Sequence, residues 1–457
     1  MQYPIQLPKF VDYPLLSFLN TSNIKSFLKM KFSTLSLAAI VAATNATPLN
    51  LRTLFGGEDN NNKKEQQHHQ DKKEIYLLGH TEPTTEYRTF NEIDNVPEHI
   101  NTDSYALPVC KDGIKERKNW AHLSYDERKN FVDALKCMRT KESLNLDGYK
   151  MTDRIADFIR MHQWPGRDIH WLTHIQLPWH RGFTIIYEQQ LQECGYDGML
   201  PYWAWENDYA DVTQSAIWDG DMDAGLGSYG HTDMSRPLNA SAVVDGAMAN
   251  YEITYTYNHT IGRRLRSNFT PDGPNIAGEY FERGRSPEWI KYYHSFDNYL
   301  NFSTLLEGYD PLDPRAFMGP STHGSAHLLT GGDMATGDVN NTSPADPLFF
   351  LHHANVDRHW MAWQLRDKEQ RLYAFEGNSQ YDFQTGIRAG IATDPDLAFY
   401  YGSMPGSKGI AAKHLLSAED SWCYTYTDLD KVVPEFWEAR TDAFSGAGVL
   451  DEAAVNK

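Results

Sequence analysis

Histidine is the residue whose type and spacing could carry chemistry in this chain. Nine of its 18 histidines fall in two windows. The first holds His162, His170, His174 and His180; the second holds His323 and His327, then His352, His353 and His359. His323 and His327 are four residues apart, so on a helix both imidazoles would leave the same face and offer two ligands to one ion. His352 and His353 then compete to be the third. Phe349, His353, Val356 and Trp360 form one stripe at i, i+4, i+7 and i+11. That stripe puts His353 on the bulky apolar face and leaves His352 roughly 100° away, in a supporting role. In the first window, Ile155, Phe158, Ile159 and His162 share a stripe, which turns His162 inward.

The ligand type narrows the metal. Imidazole alone suits copper, zinc, iron or nickel, whereas di-iron bundles need bridging glutamates and Glu-x-x-His pairs that these windows lack. A zinc protease would show His-Glu-x-x-His, and position 324 is glycine. A single buried histidine is more often a satisfied core group than a ligand. Two three-histidine sets on facing helices instead point to two copper ions.

Elements must hold these sets. Helical spacing runs through 120–134 and 153–162; a helix over 181–194 follows a Pro-Trp-His corner, and Asp346-Pro347 opens another with proline at an early position. Between 195 and 322 the chain is rich in Gly, Pro, Asn and aromatics without long periodicity, which predicts loops, short strands and a substrate-shaping insertion. The expected fold is mainly α: an antiparallel four-helix bundle core holding the metal pair, with extensive loops and a few short β-strands.

The flanks read differently. The run Leu35–Ala43 after Met30-Lys31, with small residues to Ala46, predicts a secretory signal, and residues 1–29 an upstream extension to it. The domains expected are 1–46 extension and signal, 47–105 polar leader, 106–445 catalytic domain and 446–457 tail. His68 and His69 lie in the leader, where low-complexity histidines are usually incidental. A net charge of -19 excludes nucleic acid as a partner, because that binding needs clustered cations. No other stretch approaches the ~20 apolar residues of a membrane span. The four cysteines read as disulfides of a secreted chain, Cys110 with Cys137 across the first helical stretch and Cys194 with Cys423 by elimination. Sequons at Asn239, Asn258, Asn268, Asn301, Asn340 and Asn341 fit a glycosylated exterior.

Leu177-Pro-Trp-His-Arg181, Cys194-Gly-Tyr-Asp-Gly-Met-Leu-Pro-Tyr-Trp203 and Asp346-Pro-Leu-Phe-Phe-Leu-His-His-Ala-Asn-Val-Asp-Arg358 resemble the signatures of the tyrosinase and catechol oxidase family of type 3 copper proteins. The resemblance covers roughly residues 110–430. It implies one copper held by His162, His170 and His180 and a second by His323, His327 and His353. It also implies oxidation of small phenols, o-diphenols above all, to o-quinones by dioxygen. The gap from His170 to His180 is one residue longer than the family pattern and contains His174. The eight-residue step from His162 favours His170, and His174 is the alternative. No cysteine lies between Cys137 and Cys194, so the thioether that many relatives make to the middle histidine is absent.

Leu306-Glu307-Gly308 looks like the family's water-orienting glutamate, set apart from His323 by an apparent insertion of about a dozen residues. Gly324 follows His323, where asparagine goes with strong monophenol hydroxylation; glycine leans towards diphenols and leaves hydroxylation open. Cys423-Tyr-Thr-Tyr426 resembles the paired-tyrosine motif that closes the catalytic domain, and the short remainder leaves no room for a C-terminal lid. The same six histidines would serve a haemocyanin-like oxygen carrier, and an o-aminophenol oxidase or a non-catalytic relative are further readings.

Overall fold

Helix α1, Tyr125–Thr140, begins where Ser124 and Glu127 cap each other: the Ser124 hydroxyl accepts from the Glu127 N–H and the Glu127 carboxylate accepts from the Ser124 N–H. Phe131, Val132, Leu135 and Met138 give it one buried face. Asp153 caps α2, Arg154–Gln163, through the Ala156 N–H at 3.0 Å. Helix α3, Gln176–Glu193, starts five residues earlier than the Pro-Trp-His corner suggests. Pro178 is its third residue, where a missing N–H costs nothing because first-turn amides have no partner inside the helix.

The computed structural model describes residues 110–170, 174–267, 282–308, 321–336, 341–378, 380–381, 388–389, 398–399, 401–402 and 409–436. The predicted extension, signal and leader with His68 and His69, the sequons at Asn268 and Asn340, and the tail 446–457 lie outside the described residues.

The region expected to be loops and strands also holds two short helices, α4 (Pro287–His294) and α5 (Tyr299–Glu307). Seven of the nine α5 residues are buried, so it carries no polar stripe for periodicity to detect. Helices α6 (Thr322–Thr330) and α7 (Leu348–Leu365) follow, α6 capped by the Ser321 hydroxyl accepting from the Gly324 N–H at 2.7 Å. Pro347 stands at the start of α7, as its sequence predicts. The Asp346 carboxylate before it accepts from the Leu348 N–H at 3.0 Å and from Arg263 at 2.8 and 3.0 Å, with both side chains fully buried. Helix α3 packs most extensively on α7, α1 on α2 and α3, and α6 on α5 and α7. The core is thus helical, and the strands are short two-stranded pairs.

One pair joins distant parts of the chain. Strand β1, Lys115–Arg117, runs parallel to β2, Tyr424–Tyr426. Behind it, Asp357 on α7 accepts from the Tyr424 and Tyr426 hydroxyls, each at 2.7 Å, and from Arg181 at 2.6 Å. Arg117 donates to Glu188 at 3.0 Å and to the Tyr426 hydroxyl at 2.9 Å. This pairing corrects the expected disulfides. Cys110 bonds Cys423, which β2 brings beside the segment leading into β1, and Cys137 bonds Cys194, linking the last turn of α1 to the end of α3. Bridging follows spatial proximity, with Cα atoms 5.3 and 5.8 Å apart, and sequence proximity to a helix does not supply it.

Candidate metal centre

Three elements deliver the first histidine set. His162 leaves the last turn of α2, His170 directly follows the short turn Gly166–Ile169, and His180 lies in the second turn of α3. Their ring centroids are 4.9, 5.0 and 5.5 Å apart. Each Nδ1 meets a backbone carbonyl: Asn341 at 2.8 Å for His162, Gly166 at 2.6 Å for His170 and Gln176 at 2.9 Å for His180. A carbonyl only accepts, so each Nδ1 carries the proton and each Nε2 keeps its lone pair. These are the features of imidazoles prepared to bind a cation.

His174 does not join them. The Asn378 N–H donates to its Nδ1 at 3.1 Å, so its proton sits on Nε2, 3.2 Å from the Thr304 hydroxyl. Its own amide and carbonyl are held by Asn378 and Tyr299. His170 is therefore the middle member of the set, and His174 fastens α5 to the segment around residue 378.

In the second set, His323 and His327 sit one turn apart on α6 with ring centroids 4.9 Å apart. His353, on α7, lies 5.1 Å from His323 and 5.5 Å from His327. The His327 Nδ1 meets the Met334 carbonyl at 2.8 Å. His352 belongs to the same cluster, whose potential ligand atoms lie within 4.8 Å of one another. The sets adjoin: His180 and His353 stack at 4.1 Å, and His170 and His323 are 6.0 Å apart.

Burial pushes every one of these imidazoles below the ordinary histidine range, His170 and His327 to about 4 and the others well down. Neutral rings are what a metal needs. The Nε2 atoms of His162, His180 and His323 and both nitrogens of His353 are buried without a hydrogen-bond partner. Two adjoining clusters of buried imidazoles, with several nitrogens otherwise unsatisfied, fit two copper ions.

Aromatic rings wall the centre. Phe349 lies 4.9 Å from His162 and 4.3 Å from His353, and Trp179 lies 4.9 Å from His180. Glu307 is buried at the end of α5, next to the start of α6: Ser321, the α6 cap, donates its hydroxyl to the Glu307 carbonyl. Gly308 makes this possible, because it has φ +113° and a Cβ there would fall 2.0 Å from that of Ser321.

A polar group behind α7 escapes sequence reasoning. Trp205 donates to the His352 Nδ1 at 3.1 Å, and Glu206 accepts from Arg358 at 2.6 Å and Asn355 at 2.7 Å. Burial raises the Glu206 carboxyl, but Arg358, His359 and Asn355 outweigh it and hold it well below the carboxylate range. The Tyr293 hydroxyl is 2.6 Å from the His359 Nδ1. A tryptophan and a glutamate just past the Pro-Tyr-Trp203 motif were the available signal.

The common central domain of tyrosinase matches residues 152–366, a span containing both histidine sets. The chain is 28% identical over 326 residues to tyrosinase ustQ of Aspergillus flavus, covering 70% of this chain and 81% of that protein. It is 30% identical over 295 residues to the tyrosinase-like protein orsC of Emericella nidulans, covering 57% and 77%. An N-acetyl-6-hydroxytryptophan oxidase, ivoB of Emericella nidulans, is 27% identical over 350 residues, covering 68% and 91%. A polyphenol oxidase from Thermothelomyces thermophila, solved as a mutant, superposes with a TM-score of 0.55 at 25% identity, covering 70% of this chain and 90% of that one. With its histidine sets inside the matched domain and these relatives aligned across most of their length, the chain belongs to the tyrosinase family of type 3 copper proteins.

Proposed function

We propose that this protein is a dicopper oxidase that converts small o-diphenols to o-quinones, with monophenol hydroxylation as a lesser activity. His162, His170 and His180 would hold one copper, and His323, His327 and His353 the other. The observation that carries this reading is the tautomer set by carbonyls on four of these rings, which leaves Nε2 lone pairs in two adjoining clusters. Bound copper supplies the redox chemistry by which phenols reduce dioxygen. Two diphenols lose two electrons and two protons each, and one dioxygen leaves as two waters. The chain's own part is to fix the ligands, to exclude bulk water with Phe349 and Trp179, and to orient a water through Glu307. Among relatives, the name of the hydroxytryptophan oxidase supports a hydroxylated aromatic substrate. Two disulfides suit secretion into an oxidising compartment, which we include in the proposal.

Oxygen uptake by the copper-loaded protein tests this. With catechol, uptake and a quinone absorbance are expected. Reversible oxygen binding without catechol turnover would make the protein an oxygen carrier, and two coppers with neither signal would overturn the assignment.

A further inference from the structure

Four histidines, not three, converge on the second set, and the fourth is His352. It is fully buried, adjacent in sequence to His353, and its ring stacks on His323 at 5.5 Å and 20°. Burial and spacing alone would make it as good a ligand as its neighbour. Its hydrogen bonds say otherwise.

An indole nitrogen can only donate. The Trp205 N–H, 3.1 Å from the His352 Nδ1, therefore needs the lone pair on that atom. A ring that accepts at Nδ1 cannot be the doubly protonated cation, so its one proton must occupy Nε2. An N–H has no lone pair for a metal. His162, His170, His180 and His327 show the opposite arrangement, with a carbonyl at each Nδ1. The His352 Nε2 is buried without a hydrogen-bond partner, and the ring packs against those of His323 and His353. Trp205 is itself fixed: Arg285 donates to its carbonyl at 2.9 Å, and its ring stacks on His359 at 4.9 Å.

We propose that Trp205 locks His352 in a tautomer that cannot ligate, making His352 a positioning residue whose ring packs against that of His323 on α6. The pair then keeps a fourth lone pair out of the second set. This inference rests on the dicopper reading for its purpose but not for its test.

Two measurements on the full chain decide it. In the metal-free protein labelled with 15N-histidine, long-range proton–nitrogen spectra should show His352 protonated at Nε2, with Trp205→Phe abolishing that preference. Protonation at Nδ1 in the unsubstituted protein overturns the proposal. After copper loading, metal analysis of His353→Gln should give about one copper per chain, while His352→Gln, which can still accept and donate, should keep two and bind the second about 10- to 100-fold more weakly against a chelator. Loss of a copper in a folded His352→Gln protein, equal to that in His353→Gln, also overturns it. Fewer than two coppers in the unsubstituted protein would refute the dicopper reading, while the nitrogen spectrum would still decide the tautomer.

Discussion

At His170 and His174 one residue type has two fates, and the position of a single proton separates them. His170 donates from Nδ1 to a carbonyl, so its Nε2 carries the lone pair, whereas His174 accepts an amide at Nδ1 and turns its Nε2 to Thr304. His170→Gln should therefore lose about one copper per chain and His174→Gln should retain both, as metal analysis would show. Acid should also act through these rings. Their folded-state affinities for protons lie below the ordinary histidine value of ~6.5, so the unfolded chain binds more protons below that pH. The metal-free protein should lose stability as pH falls from about 6.5 towards 4, read as a falling Tm. Gly324→Asn should raise the ratio of monophenol to catechol oxidation; the Ser321 hydroxyl must yield slightly, since a Cβ there would lie 2.9 Å from it. The two histidine clusters were legible in the sequence from spacing and family signatures, with His174 left there as the alternative to His170. The stripe on α7 favoured His353 over His352, but every residue from Leu348 to Gln364 is buried, so no exposed face supports that choice and the Trp205 hydrogen bond to His352 is what distinguishes the two.

Among the elements, α7 depends most on a partner remote in sequence. Arg263 grips Asp346 at its entrance with both charges out of water. Arg263→Met would strand that carboxylate, at a cost of about 3–5 kcal/mol measurable by denaturant unfolding, and should weaken copper retention at the second set as His353 loses its register. The helices over 153–162 and after Asp346-Pro347 were readable because one has an amphipathic stripe and the other a proline start. Helices α4 and α5 were not, being short and, in α5, buried nearly all round. The early start of α3 was missed because proline was read as a corner, when in a first turn it is tolerated.

At the scale of the whole molecule, the disulfides close loops of very different size, with cysteines 313 and 57 residues apart. Chain entropy makes the longer closure the more stabilising, so Cys110→Ser/Cys423→Ser should lower Tm further than Cys137→Ser/Cys194→Ser, each bridge being worth roughly 2–5 kcal/mol. Their pairing was beyond the sequence, since it follows from β1 meeting β2, a contact that no local pattern announces. That contact also joins residues 309 positions apart in the chain. Lys115 lies beside Tyr424 and Arg117 beside Tyr426, so entry to β1 and exit from β2 are separated by about the length of a three-residue strand, ~7 Å. A chain cut between these strands would still be held together by their pairing and by the Cys110–Cys423 bridge.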